Sequence, residues 1–133
     1  MTAPVVLSCG EPAGIGPELA AAAWDALRET LPFVLIGDPA HLPVQTPLAL
    51  IDDLSQAQNA ARTALPVLPH EFSGPLTQGT PNPDHAQGVI DVIARGVELV
   101  RSGHASALCT APIHKKALQD GANFAYPGHT EYL

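Results

Sequence analysis

The chain has 133 residues, of which 46% are hydrophobic and 14% charged, and its formal net charge is -7 with only 6 lysines and arginines. Such a chain can form one globular domain with a real core. Six basic residues are too few for a basic face, so no nucleic-acid partner is expected. No apolar run approaches the ~20 residues of a membrane-spanning helix, and the start lacks a signal-peptide pattern. The sequence predicts a soluble, cytoplasmic protein.

The 2 cysteines, Cys9 and Cys109, each end a predicted strand. They form neither a disulfide framework nor a CxxC metal site. A reducing compartment is the simplest interpretation.

The chain opens with a strand, a glycine-rich turn and a helix. Residues 4–9 are apolar and predict a short buried strand of a parallel sheet. Residues 10–18, GEPAGIGPE, form the segment called here the glycine turn. Its Gly14 and Gly16 allow a tight turn or close approach to a ligand, and Pro17 suits a first helical position. The helix is predicted over residues 17–30, with one apolar face made of Leu19, Ala23, Trp24 and Leu27.

The glycine turn matches neither common phosphate-binding motif. The pattern GxxxxGK[ST] is absent, and GxGxxG fails because Leu19 occupies the sixth position. A strand, a glycine turn and a helix start can bind an anion. On spacing alone, a ligand-binding role and a purely structural role both stay open.

The middle of the chain is less regular. Residues 31–36 predict a second strand, which closes a right-handed βαβ unit with the first. Further strands are predicted at residues 46–51 and 65–68, with a short turn or helix over residues 54–60 between them. Prolines in this region favour edges and loops. Three polar residues here are interpreted as surface residues, namely His41, His70 and Glu71.

A long helix is predicted over residues 84–102 and is capped by Gly103. Its apolar stripe has helical spacing and consists of Ala86, Val89, Ile90, Ile93, Val97 and Val100. His85 and His104 are interpreted as structural. A buried strand over residues 105–109 and a short helix over residues 113–119, ended by Gly121, follow.

The predicted fold class is α/β, a three-layer α/β/α sandwich with a largely parallel sheet. In such sheets ligands bind in a crevice at the carboxyl ends of the strands. After the strand over residues 105–109 the sequence places a dense group of polar residues, namely Thr110, Lys115, Lys116, His129, Thr130 and Glu131. We therefore expect the lip of the crevice there.

Three segments resemble signatures of the 4-hydroxythreonine-4-phosphate dehydrogenase family. The glycine turn resembles GDPAGIGPE, with Glu11 in place of the usual Asp. Residues 110–115, TAPIHK, followed by residues 128–131, GHTE, resemble a second signature, and residues 34–39, VLIGDP, a weaker third. The order and spacing also agree, and the resemblance spans essentially the whole chain.

The resemblance implies an isocitrate/isopropylmalate dehydrogenase-like fold, incomplete here, with residues 1–133 as its N-terminal part. It implies NAD-dependent oxidation of 4-phosphohydroxy-L-threonine in pyridoxal 5'-phosphate (vitamin B6) biosynthesis. The product, 2-amino-3-oxo-4-(phosphohydroxy)butanoate, decarboxylates to 3-amino-2-oxopropyl phosphate. The implied cofactors are NAD and a divalent metal (zinc, magnesium, manganese or cobalt), and the implied assembly is a homodimer.

The resemblance assigns few site residues. His129 and Thr130 match a substrate-binding pair, and Lys115 matches a recurring lysine that is a candidate catalytic residue. The family's three metal-binding histidines lie beyond Leu133, so no metal ligand is predicted in this chain and no other histidine is promoted to replace them. The residues that bind NAD are unassigned.

Two alternatives stay open. The first is a paralogue that oxidises D-threonate or D-erythronate 4-phosphate. The second is a non-catalytic α/β module that binds a phosphorylated metabolite or a partner.

Overall fold

A computed structural model describes residues 3–123 and 132–133. The described chain forms a five-stranded sheet of order β3-β4-β2-β1-β5 in which every paired neighbour is parallel. The strands are β1 (Val5–Ser8), β2 (Phe33–Gly37), β3 (Leu48–Leu50), β4 (Leu65–Pro69) and β5 (Ala107–Thr110). The α-helices are α1 (Gly16–Leu27), α2 (Ala57–Ala60), α3 (Ala86–Arg101) and α4 (Lys115–Ala122), and short 3-10 helices cover Pro39–His41, Leu54–Gln56 and Pro83–His85.

The prediction of one parallel sheet is confirmed. Val5 of β1 aligns with Phe33 of β2 and with Ala107 of β5, so two of the strands predicted from apolar runs, β2 and β5, each pair directly with the third, β1. β2 is buried along its whole length. This pattern is typical of a strand covered on both faces.

Helices cover both faces of the sheet, as the three-layer prediction requires. α3 packs on the face that carries Leu108, because a side chain at Gly96 would come within 2.7 Å of a Leu108 methyl group. α1 lies on the opposite face, where Pro17 lines a small cavity together with Cys9 and Leu35. Among the described helices, none is long and apolar enough to cross a membrane.

The predicted apolar face of α1 is partly wrong. Leu19 and Leu27 are 46% and 37% exposed, and the buried residues are Gly16, Pro17, Ala20 and Trp24. The Trp24 indole N–H donates a hydrogen bond of 2.8 Å to the Ala61 carbonyl beyond α2. This contact turns the Ala20–Trp24 side of the helix inward and leaves Leu19 outside.

The prediction of a buried strand at β5 is also wrong in part. Ala107 and Cys109 are exposed, and β5 lies at an edge of the described sheet.

The end of α4 differs from the sequence-based expectation. Gly121 lies inside the helix, and Asn123, with a φ of 52°, forms the left-handed cap. Gly121 serves close approach instead, because a side chain there would lie 2.9 Å from the Pro83 carbonyl carbon and 2.7 Å from the Ala86 Cβ. The predicted cap at Gly103 is confirmed by its φ of 85°.

Candidate functional site

The candidate site lies where the strand order reverses. The chain passes from β1 to β2 on one side, whereas β5 joins β1 on its other side. In open parallel sheets this switch point, at the carboxyl ends of the strands, is the usual place for a ligand. The loops that follow β1 and β5 meet there.

Backbone contacts join these two loops. The Glu11 amide donates to the Pro112 carbonyl at 2.8 Å. Gly10 has a φ of 67°, and a side chain on it would lie 2.8 Å from the Ala111 carbonyl carbon. Only glycine fits this combination of conformation and space. No sequence pattern singles out Gly10, because its spatial neighbour Ala111 lies about a hundred positions away in the chain.

The other two glycines of the turn differ from each other. A side chain at Gly16 would collide with the Cys9 carbonyl oxygen and lie 3.2 Å from its carbon, so the tight turn is confirmed there, whereas close approach to a ligand stays a prediction. At Gly14 the nearest atom would be the Glu11 carbonyl oxygen at 3.3 Å, a tight but less severe contact.

Glu11 closes its own turn. The residue is buried, and its Oε2 accepts a hydrogen bond of 2.9 Å from the Ala13 amide. A carboxylate that binds a backbone amide two residues ahead is a local turn device. This contact gives Glu11 a structural role at the position where the family signature has Asp.

The β5 side of the site carries the predicted lysines at the start of α4. His114 is the helix cap, with its Nδ1 accepting from the Ala117 amide at 3.1 Å. Lys116 pairs with Asp120 at 3.2 Å. Lys115 is exposed, and no carboxylate of the described residues pairs with it. Of the two lysines, Lys115 is therefore the one left available to an anion.

Thr110 ends β5 and aligns with Ser8 of β1, at the switch point. His129, Thr130 and Glu131 lie outside the described residues, so their assignment to the site stays a prediction.

The described part of the chain offers no group of three or more His, Cys, Asp or Glu residues able to hold a metal ion. Cys9 is buried, and this burial raises the pKa of its thiol to about 12, so it is not a reactive thiolate at neutral pH.

A cluster at the ends of β2 and β4 was missed. His41, expected at the surface, has a side chain only 10% exposed and lies 3.9 Å from Asp38. His70 is partly buried and contacts Arg95, whereas Glu71 is exposed as predicted. The rings of His41 and His85 are 5.5 Å apart. These residues come from three distant segments, and no spacing in the sequence connects them.

Residues 26–133 match the family model described as pyridoxal phosphate biosynthetic protein PdxA. The chain belongs to this family. Among its relatives are 4-hydroxythreonine-4-phosphate dehydrogenases of Roseobacter denitrificans, 60% identical over 132 residues, and of a Ruegeria species, 61% identical over 129 residues. The alignments cover 99% and 97% of this chain, but only 40% of each relative.

Solved PdxA-like structures agree with the fold. The 4-hydroxythreonine-4-phosphate dehydrogenase of Klebsiella pneumoniae matches with a TM-score of 0.81 at 27% identity, over 98% of this chain and 43% of that one. The corresponding protein of Burkholderia phymatum matches with a TM-score of 0.79 at 29% identity, over 98% and 42%. The incomplete α/β fold predicted from the sequence is thus that of the amino-terminal part of PdxA proteins.

Proposed function

We propose that this chain forms the amino-terminal part of an NAD- and metal-dependent 4-hydroxythreonine-4-phosphate dehydrogenase. The reaction oxidises 4-phosphohydroxy-L-threonine to 2-amino-3-oxo-4-(phosphohydroxy)butanoate, which loses carbon dioxide to give 3-amino-2-oxopropyl phosphate. The proposal is supported by membership of the PdxA family. It is also supported by the switch point, where a backbone hydrogen bond joins the glycine turn to the loop after β5. The proposed setting is the cytoplasm, and the proposed assembly is a homodimer.

The described residues do not form a set that would hold the metal, and they carry no dinucleotide fingerprint. We therefore assign no step through either group to them. When bound, NAD accepts the hydride. The proposed task of this chain is to bind and orient the phosphorylated substrate at the carboxyl edge.

Three residues are proposed for that task. His129 and Thr130 contact the substrate, and Lys115 approaches one of its anionic groups. Support for Lys115 comes from its exposed place beside the joined loops, with no ion pair among the described residues. Lys116, its neighbour, is already paired with Asp120.

The test compares variants in the protein at its native length. His129→Ala is expected to lower kcat/KM at least about tenfold, since a hydrogen bond to a charged group contributes roughly 1.5–3 kcal/mol. Lys115→Ala should raise KM for the phosphorylated substrate, whereas the matched control Lys116→Ala should not. NAD affinity should be unchanged in all three. Loss of NAD binding with substrate KM unchanged would refute the assignment of His129.

The substrate itself needs a separate assay. Parallel turnover measurements with 4-phosphohydroxy-L-threonine, D-threonate 4-phosphate and D-erythronate 4-phosphate decide among the PdxA-type reactions. Binding of these compounds without turnover, in the native-length protein, would favour the non-catalytic module instead.

A further inference from the structure

Residues 70–82 form a strap across the carboxyl edge of the sheet, from the end of β4 to the 3-10 helix Pro83–His85. In the second half of the strap, the Gly79 amide donates to the Ala13 carbonyl at 2.9 Å. The Gln78 side-chain amide donates to the Gly14 carbonyl at 3.1 Å. The strap therefore fixes the glycine turn from outside.

Phe72 anchors the strap. It is the one buried residue among residues 70–82, all of which the structure describes. Its amide donates to Asp38 Oδ2 at 3.1 Å. Its ring centroid lies 5.4 Å from that of His41, 5.8 Å from that of His70 and 5.8 Å from that of His85. The position of the strap thus depends on an aromatic ring seated among three imidazoles.

Contacts hold His70 in the neutral form. Its Nδ1 lies 3.1 Å from a guanidinium nitrogen of Arg95, which also donates to the Pro69 carbonyl at 3.0 Å. Because a guanidinium only donates, Nδ1 must accept and carry no proton. Burial and the Arg95 charge lower the pKa of His70, against a smaller opposing effect of Asp91 and Asp38. A second proton would place two cations face to face.

His85 holds the strap from the other side of Phe72. Its Nε2 lies 3.3 Å from the Gly74 carbonyl of the strap, so Nε2 is the protonated nitrogen. Its Nδ1 is buried and has no hydrogen-bond partner among the described residues. The residue is 1% exposed, so its contact with Gly74 ties the strap to the interior at the start of α3.

His41 completes the ring of imidazoles. Burial lowers the pKa of His41, and the nearby His85 adds to this effect, whereas the carboxylates of Asp38 and Glu11 oppose it. The charged groups that act on His41 and His70 are the carboxylates of Asp38, Glu11 and Asp91 and the guanidinium of Arg95. With these carboxylates included, the neutral imidazole remains the favoured form for His41 and His70.

We propose that residues 70–82 are an acid-released strap: uncharged His70, which accepts from Arg95, seats Phe72 at neutral pH, and protonation of His70 unseats Phe72 and frees the glycine turn. The pKa of His41 and of His70 lies below the ordinary value of 6.5 in the folded protein. Closure is therefore fully stabilised above about pH 6.5 and weakens as the pH falls below it.

The test measures amide hydrogen exchange of the native-length protein at about pH 7.5 and about pH 5.5, as protection factors corrected for the intrinsic rate. Protection of residues 70–82 should fall about tenfold, as expected when one histidine gains a proton on opening. Amides at the centre of α3, such as Val92 and Ile93, should stay protected. The glycine turn should lose protection together with the strap.

Two variants separate the strap from general acid sensitivity. His70→Asn keeps an acceptor for Arg95 but cannot titrate, so the acid-induced loss should shrink about tenfold. His104→Asn is the matched control, because His104 is exposed and contacts Ser102 outside the cluster; its profile should equal that of the unmodified chain. Equal loss of protection in the strap and α3, or equal effects of the two variants, would overturn the proposal.

A second measurement does not depend on the folding of any variant. In the unmodified protein, the ring resonances of His70 should titrate below the ordinary value of 6.5, and the Phe72 ring resonances should shift over the same pH range. A normal titration of His70 without a change at Phe72 would contradict the proposal.

Discussion

Replacement of Gly16 by alanine tests how β1 is joined to α1. In an ordinary helix, Gly→Ala stabilises by up to about 1 kcal/mol. Here the new Cβ would collide with the Cys9 carbonyl oxygen and lie 3.2 Å from the Cys9 carbonyl carbon and 3.4 Å from the Ala111 Cβ. Both the colliding carbonyl and the helix start are backbone, so neither can rotate away as a flexible side chain can.

We expect Gly16→Ala to lower the free energy of unfolding by about 1–3 kcal/mol, the range for an overpacked core. The measurement is urea denaturation of the native-length protein. Ala22→Gly is the matched control, because Ala22 is an exposed position in the same helix. It should cost about 0.5–1 kcal/mol. Alanine should thus be the better residue at position 22 and glycine at position 16.

Activity should respond in the same direction. Cys9 precedes Gly10, whose backbone is in contact with the β5 loop. A shift of Cys9 therefore moves the joined loops of the switch point, and kcat/KM should fall together with stability. A Gly16→Ala protein that is as stable as the unmodified chain, or more so, would refute the close-approach argument.

Three further outcomes follow from particular contacts. Trp24→Phe removes the hydrogen bond to the Ala61 carbonyl and should lower the free energy of unfolding by about 1–3 kcal/mol in urea denaturation. A change below a few tenths of a kcal/mol would show that water takes the place of the indole N–H as the donor to Ala61. Iodoacetamide should modify exposed Cys109 but not Cys9 in the folded protein, because burial raises the pKa of the Cys9 thiol to about 12. Mass spectrometry after digestion measures the modification of each cysteine. In the unfolded protein both cysteines should be modified to the same extent. Residues 1–133 expressed alone should give no metal-dependent NADH, since their described part has no metal-holding group, and turnover that persists after removal of contaminating enzyme would disprove this division of roles.

Local patterns were sufficient to predict most elements of the sheet. β1, β2 and β4 were each predicted from a short apolar run, and the shared parallel sheet of β1, β2 and β5 was predicted from the helices between them. Such runs report burial on both faces without knowledge of the partner. The burial of β5 was misjudged for the same reason, since an apolar run does not say whether a helix covers it.

Helix faces and caps were predicted less well, because they depend on distant partners. The buried side of α1 is set by the bond from Trp24 to Ala61, and helical spacing fits two neighbouring faces almost equally. Gly121 suits a cap by its conformational freedom, but contact with Pro83 explains it. In each case the local sequence allows two structures, and a contact with a residue distant in the chain determines which one forms.

The sequence was sufficient to predict where the candidate site lies, but not all of the residues that surround it. The glycine turn and the β5 loop were predicted, whereas the cluster of His41, His70 and His85 was not. Its members were taken as surface or structural residues because each is isolated in the sequence. Their proximity arises from the ends of β2 and β4 and the start of α3, which only the sheet order brings together.

At the carboxyl edge of the sheet, four segments contact one another in sequence, and the last of them contacts the first again. The glycine turn binds the β5 loop through Glu11 and Pro112, and that loop leads into α4. α4 packs at Gly121 against Pro83, which adjoins the strap. The strap returns to the turn at Ala13. Because backbone atoms make most of these contacts, they fix the backbone shape of the edge but do not restrict which side chains the exposed positions carry. Exposed side chains such as Lys115 can therefore change without disturbing the frame that positions them.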